Sequence, residues 1–321
     1  MGVLLSKNLI GIGKYPNIAV VTYIADREQE RSVKALVKSI RELGGKYQDS
    51  KVYIVLGYPQ QIPAISLEGE NVSLIPMEIE RTFLEYPLAI KAFAAAKIEK
   101  IVNTSADIRT LIWMDPGVIV LKPFEALILD KNYDVVVRPV TLSNNIGLAV
   151  GEAPNAYWMP IFMATGLNNR RLPMIMTIAD EVEIQPYYNC EVFCINPRLG
   201  ICEEWMRILT SLLEDKQYQS EVCTTFVQKL FLHQAVLSAV ISTRIEQKKI
   251  KSLPLTHGYP FNQYKRLPKS KQVASLNEIS IVIFDYAWAK NPDWMDNILI
   301  NEPLKQWLFN TYQEYFKFSE N

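Results

Sequence analysis

In the stretch LIWMDPGVIVL, Leu111 to Leu121, one aspartate and a Pro-Gly pair interrupt two apolar runs. A carboxylate in that position has two uses. Asp115 can begin an Asp-Pro-Gly turn, to which those residue types are suited, or it can face a ligand and hold a hard cation through oxygen. Asp26 poses the same choice at the end of NIAVVTYIAD, where it can cap a helix or accept a hydrogen bond from a ligand hydroxyl. The chain has two histidines. His233, in FLHQAVLSAV, can move a proton near neutral pH, although a helix histidine is more often packed or hydrogen-bonded. His257, in the loop-like LPLTHGYPFNQY, has no metal partner at helical spacing. Cys190, Cys194, Cys202 and Cys223 contain no CxxC pair; Cys190 and Cys194 can in principle ligate metal, but the four read more simply as reduced core residues.

The elements that must position these residues are legible from periodicity. NIAVVTYI, from Asn17, is a β-branched apolar run, and after it Val33, Leu36, Val37, Ile40 and Leu43 recur at helical spacing. Asp26 stands at the N-cap, Glu28 and Glu30 fall in the first turn, and Gly44-Gly45 ends the helix. KVYIVLGY, from Lys51, and NVSLIPM, from Asn71, are further strands. Tyr86 to Asn103 reads as a helix with Pro87 at its first position and Ile90, Phe93, Ala94, Ile98 and Ile101 on one face. It leads to TLIWMD, whose unbroken apolar character fits a central strand covered on both sides, and YDVVVRPV, from Tyr133, is another strand. Later come a strand in YYNCEVFCIN, helices over 199–213 and 224–241, a strand in SIVIFDY and an amphipathic helix from Pro303.

Strands alternating with helices predict an α/β fold built on an open, mostly parallel sheet, in which ligands bind beyond the carboxyl ends of the strands. Asp26 and Asp115 both stand at such ends. The expected organisation is one domain over 1–321, with a first half at 17–140, a second half at 141–295, and a terminal helix at 296–321. Thirty-four basic residues balance thirty-four acidic ones, which argues against a nucleic-acid partner. No window reaches 18 uninterrupted apolar residues and the amino terminus lacks the order of a secretory signal, so no transmembrane segment and a cytoplasmic location are expected.

Taken in order, these pieces resemble the GT-A glycosyltransferases, particularly the retaining glycogenin-like and lipopolysaccharide-galactosyltransferase-like group. That group is similar in having a strand ending in aspartate, a helix with a basic residue, a strand ending in D-x-D, a segment like FNxGxxxxN, a helix with DQxxLN, and a late HxxGxxKPW. The counterparts are TYIAD with Asp26, YPLAIK with Lys91, WMDPG with Asp115, YYNCEVFCIN with Asn189, HQAVLSAV with His233 and Gln234, and IVIFDYAWAKNPDW with Asp285, Lys290 and Trp294. Four departures fall on positions the family uses: Gly117 replaces the second aspartate of D-x-D, Glu191 the glycine of FNxG, His233 the aspartate of DQ, and Asp285 the histidine of HxxG.

The resemblance implies transfer of a hexosyl group from a nucleotide-diphosphate sugar to a carbohydrate-type acceptor, with retention. A Mn²⁺ or Mg²⁺ ion held by Asp115 and Asp285 would oppose the charge growing on the diphosphate, as would Lys91, Arg138 and Lys290 acting as fixed cations. Thr22, Tyr23 and Asp26 would meet the base and ribose. Asn189, Gln234 and Lys290 would act at the sugar, and Glu191 would be a base or nucleophile there unless it is a strand carboxylate facing solvent. Most tryptophans are expected in the core. The alternative is a non-catalytic nucleotide-sugar-binding or scaffold protein on the same fold. A nucleotidyltransferase ranks third, because TYIADREQER has no glycine after the first strand.

Overall fold

The computed structural model describes residues 17–57, 71–80, 83, 86, 88–104, 107–144, 146–167, 172–284 and 298–316. Its strands are β1 (Ile18–Ile24), β2 (Lys51–Leu56), β3 (Val72–Pro76), β4 (Thr110–Met114), β5 (Val118–Val120), β6 (Val135–Val137), β7 (Ile175–Met176), β8 (Glu183–Ile184), β9 (Val192–Ile195), β10 (Ile250–Ser252), β11 (His257–Pro260) and β12 (Ile281–Ile283). The α-helices are α1 (Arg27–Leu43), α2 (Ile90–Asn103), α3 (Trp158–Thr165), α4 (Ile201–Glu214), α5 (Phe226–Arg244) and α6 (Leu304–Phe316).

A seven-stranded sheet runs in the order β10-β6-β9-β4-β1-β2-β3. Every neighbouring pair in it is parallel except those made by β9, which opposes both β4 and β6. Alternation along the strands sorts side chains to two faces. Ala19, Val21, Tyr23, Leu111, Trp113, Phe193 and Ile195 join the core beneath α2 to α5, while Ile18, Val20, Ile24, Ile112, Met114, Val192 and Cys194 join the core beneath α1. The late strand β12 pairs antiparallel with β5 and parallel with β11 in a separate three-stranded sheet, which packs on α6. His257, expected in a loop, begins β11.

Asp26 caps α1 as expected, its Oδ1 accepting from the Gln29 N–H at 2.8 Å. The second helix departs from its sequence pattern. α2 starts at Ile90, and Pro87 lies outside the described residues. Its buried positions are Lys91, Ala92, Ala94, Ala95, Ala96, Ile98, Glu99 and Val102, whereas Ile90, Phe93 and Ile101 are half-buried. The cause is that α2 is sandwiched between β1 and α4; small alanines let both approach, so burial follows the sandwich and not the largest apolar side chains.

Glu99 shows what this burial enforces. Gly200, the N-cap of α4, offers no side-chain acceptor, and the fully buried Glu99 supplies one from α2, taking the Glu203 N–H at 2.8 Å. Burial pushes the Glu99 carboxyl up to about 7, with the backbone N–H groups of Glu203, Cys202 and Ile201 acting the other way. In the unfolded chain the same group titrates at about 4.3, so between these values the native state binds more protons and stability falls as pH rises. Melting temperatures of wild type and Glu99→Gln are therefore expected to diverge from pH 5 to pH 8, the wild type losing roughly 3 kcal/mol relative to the variant. Parallel pH profiles would refute this.

Candidate active site

The topology concentrates functional groups at one edge of the sheet. Asp115 follows β4 directly. β9 runs the other way, so its start lies beside the end of β4, and the Asp115 N–H donates to the Glu191 carbonyl at 2.9 Å. α2 descends before β4 rises, which returns its first turn, with Lys91, to that same edge. α5 likewise precedes the parallel β10, and its first half brings His233 and Gln234 there.

Asp115 has both carboxylate oxygens occupied. Lys91 Nζ lies 2.5 Å from Oδ2 and Trp113 Nε1 donates to Oδ1 at 2.7 Å. The Lys91 side chain is 2% exposed and that of Asp115 15%. Burial raises the Asp115 carboxyl to about 6, against the pull of Lys91. Burial works against the Lys91 charge too, but Asp115, with Cys190, Tyr23 and Glu191, outweighs it and holds the ammonium above its usual range. The two therefore face each other as ions at neutral pH.

Glu191 does not face open solvent as a strand carboxylate would. Its side chain is 30% exposed, and it precedes β9 in a tight turn closed by Asn189, whose Oδ1 accepts from the Glu191 N–H at 2.9 Å and whose Nδ2 donates to Glu191 Oε2 at 2.8 Å. Arg138 Nη2 stands 3.9 Å from the same oxygen. Arg138 itself is 1% exposed, and its Nε and Nη2 have no hydrogen-bond partner among the described residues. Burial lowers its pKa to about 10, while Glu191 and Cys190 favour the charge.

Two cavities meet at these residues. One, of about 460 Å³, is lined by Tyr23, Asp26, Gln29, Ser32, Asp115, Pro116, Gly117 and Phe284, among others. Its size is that of small-molecule sites. The other, of about 250 Å³, has Thr141, Asn144, Asn189, Gln234, Asn262, Gln263 and Arg266 in its wall. Leu88, Lys91, Glu191 and Asn262 line both.

The structure thus brings Tyr23, Asp26, Lys91, Asp115, Asn189, Glu191 and Gln234 to one cleft. Thr22 is a correction: it is fully buried, because strand alternation turns it with Val20 and Ile24 toward the α1 face, and it lines neither cavity. Arg138 is another, since it stands behind Glu191 and is absent from both linings. His233 is reassigned as well. Burial, then Lys91, lowers its pKa well below the usual imidazole value, so the ring is neutral, and its Nε2 lies 3.0 Å from Cys190 Sγ. Gln234 Oε1 accepts from the Cys190 N–H at 3.3 Å, so both α5 residues steady the 189–191 turn. All four cysteines are free and buried; the Cys190 thiol is pushed up to about 12 by burial. Trp113, Trp158 and Trp205 fill the core.

Asp285, Lys290, Trp288 and Trp294 lie outside the described residues. Sequence reasoning missed Asn262, Gln263 and Arg266, which sit in a 3₁₀ segment after β11; the polar run FNQYKR beside His257 was their only signal. Among the described residues no group of three His, Cys, Asp or Glu side chains converges as a metal site, and no helix is long and apolar enough to cross a membrane.

A family model described as a Rhodobacterales glycosyltransferase domain matches residues 23–244. Among solved structures, the fold is similar to that of the galactosyltransferase LgtC in complex with donor and acceptor sugar analogs, with 13% identity, a TM-score of 0.53 and coverage of 92% of this chain and 95% of that one. An active-site mutant of LgtC aligns with 12% identity and a TM-score of 0.50, over 92% of this chain and 94% of that one. No curated protein sequence matches the chain.

Proposed function

Because the chain belongs to the Rhodobacterales glycosyltransferase domain family and is a glycosyltransferase of GT-A fold, we propose that its donor is a nucleotide-diphosphate hexose and that transfer retains configuration. The observation that carries this reading is the meeting of two unlike cavities at Lys91 and Glu191. The cavity beyond β1 and β4 offers a nucleoside the Asp26 carboxylate, with Gln29 and Ser32 in the same wall. The second cavity, rich in amides, suits sugar hydroxyls, which need both donors and acceptors. The anomeric carbon then falls between them, within reach of Glu191.

Glu191 acts as the nucleophile in this reading, with Asn189 and Arg138 as positioning residues. One carboxylate oxygen bonds to the anomeric carbon while its bond to the diphosphate oxygen breaks, the electron pair leaving with the diphosphate. An acceptor hydroxyl then attacks from the opposite face. The ester electron pair returns to Glu191, and the hydroxyl proton passes to the bound diphosphate. Two displacements at one carbon restore its configuration. Neutral His233 is not required to move a proton.

The test is incubation of the full chain with a panel of uridine and guanosine diphosphate hexoses, following diphosphate release and the anomeric signals of the freed sugar by ¹H NMR. Slow hydrolysis of at least one donor, giving the donor's own anomer first, is expected. First appearance of the opposite anomer would refute retention, and no turnover with any member would refute the donor class.

A further inference from the structure

We infer that this enzyme neutralises the departing diphosphate with the Lys91 ammonium in place of a divalent cation, an inference that rests on the donor reading above. A D-x-D pair works because residues two apart on an extended segment project together. Here position 117 cannot supply the second carboxylate. A Cβ built on Gly117 would stand 2.4 Å from the Phe284 carbonyl oxygen, and the Phe284 N–H donates to the Gly117 carbonyl at 2.8 Å. The end of β12 therefore closes over the place a side chain would need, and only glycine permits that approach. The loss is built into the backbone pairing between β5 and β12 and is more than a single exchanged residue.

The remaining carboxylate does not fit the ion either. One lone pair on each Asp115 oxygen is already taken, by Lys91 at 2.5 Å and Trp113 at 2.7 Å, and the Lys91 ammonium stands on the side a cation would need. A divalent ion on Asp115 would stand against a fixed ammonium a few ångströms away, at a mutual repulsion that partial burial strengthens. Among the described residues no group of three His, Cys, Asp or Glu side chains converges here.

Lys91 answers the same electrostatic need. It lines both cavities where they join, it is buried, and it is held in place by Asp115. An ammonium carries three N–H donors, and Asp115 takes one; the others can reach phosphate oxygens. Such a charge is positioned before the donor arrives and costs no reorganisation as the leaving group separates. Asp115 becomes the residue that orients this cation, not a ligand of a metal.

The test is titration calorimetry of the full chain with UDP and GDP, in EDTA and in excess Mn²⁺ or Mg²⁺. Wild-type affinity for the nucleotide that binds is expected to agree within about threefold across these conditions. Lys91→Met is expected to lose at least about tenfold in affinity with or without metal, and Lys91→Arg, which keeps the charge, to stay within about fivefold. Tightening by metal of tenfold or more in the wild type would overturn the inference while leaving the donor reading intact. Unchanged affinity in Lys91→Met, with a cooperative melt, would also overturn it. Binding of neither nucleotide under any condition would instead refute the donor reading and this inference with it. If Lys91→Met does not fold, the wild-type metal comparison and the arginine variant still decide.

Discussion

Glu191→Gln is expected to lower kcat for transfer by about 10³-fold, equivalent to roughly 4 kcal/mol of barrier, while nucleoside diphosphate affinity stays within about threefold. The substitution keeps the side-chain volume, and the amide oxygen can still accept from Asn189 Nδ2. What it removes is the negative charge and the nucleophilic oxygen at the junction of the cavities. Glu191 lines the nucleotide-side cavity at its junction with the second one, and the rest of that lining, with Asp26, Gln29, Ser32 and Asp115, is unaltered, so binding persists when chemistry fails. A structural role through Arg138 makes a different prediction, because neutralising Glu191 leaves that buried cation 3.9 Å from an uncharged neighbour and would show first in the melting temperature. Turnover and melting temperature read side by side separate the two: loss of a reacting carboxylate lowers kcat with the melt kept, whereas loss of a merely neutralising one lowers the melt. A kcat within tenfold of wild type in Glu191→Gln would sink the nucleophile assignment.

Lys91→Met is expected to cost about 3–5 kcal/mol of folding stability at neutral pH, the range found when one partner of a buried pair is removed. The Asp115 side chain, 15% exposed, would keep its indole donor but lose its counter-charge. Lys91→Met/Asp115→Asn, which removes both charges, is expected to recover most of that loss, so the coupling in a double-mutant cycle is large. The pH dependence has a definite sign. Asp115 already titrates at about 6 because of burial, above the unfolded value of about 3.9. Without Lys91 its pKa rises further, and the folded state binds the extra proton over a wider window. The deficit of Lys91→Met should therefore shrink as pH falls from 8 to 5 and grow as it rises. Additive single variants, or a deficit independent of pH, would show that the pair does not hold charge in the fold.

Much of the site's scaffold was legible before any coordinates. Asp26 and Asp115 end apolar strands, and the strand-end rule for α/β sheets marked their edge as the ligand edge. Lys91, Asn189, Glu191 and Gln234 entered through family order, and all four line the cleft. Thr22 failed for a reason internal to strands: adjacent residues point to opposite faces, so choosing both Thr22 and Tyr23 guaranteed that one would turn away. Arg138 lies behind Glu191 and lines neither cavity, a placement that a sequence does not show.

What the sequence alone determined is the order and type of the longer elements, though not α3 or the short β5, β7, β8, β10 and β11, since periodicity, caps and strand-ending turns are local and each is written within a few neighbouring residues. What only the tertiary structure decided is which charges meet. Lys91 pairs with Asp115 because α2 runs back toward the end of β4; Glu191 faces Arg138 and joins Asp115 because β9 is the strand that opposes its neighbours; Gly117 is closed off because β12 pairs with β5. These are contacts between segments far apart in the chain, selected by how faces bury together, and no local pattern carries that information.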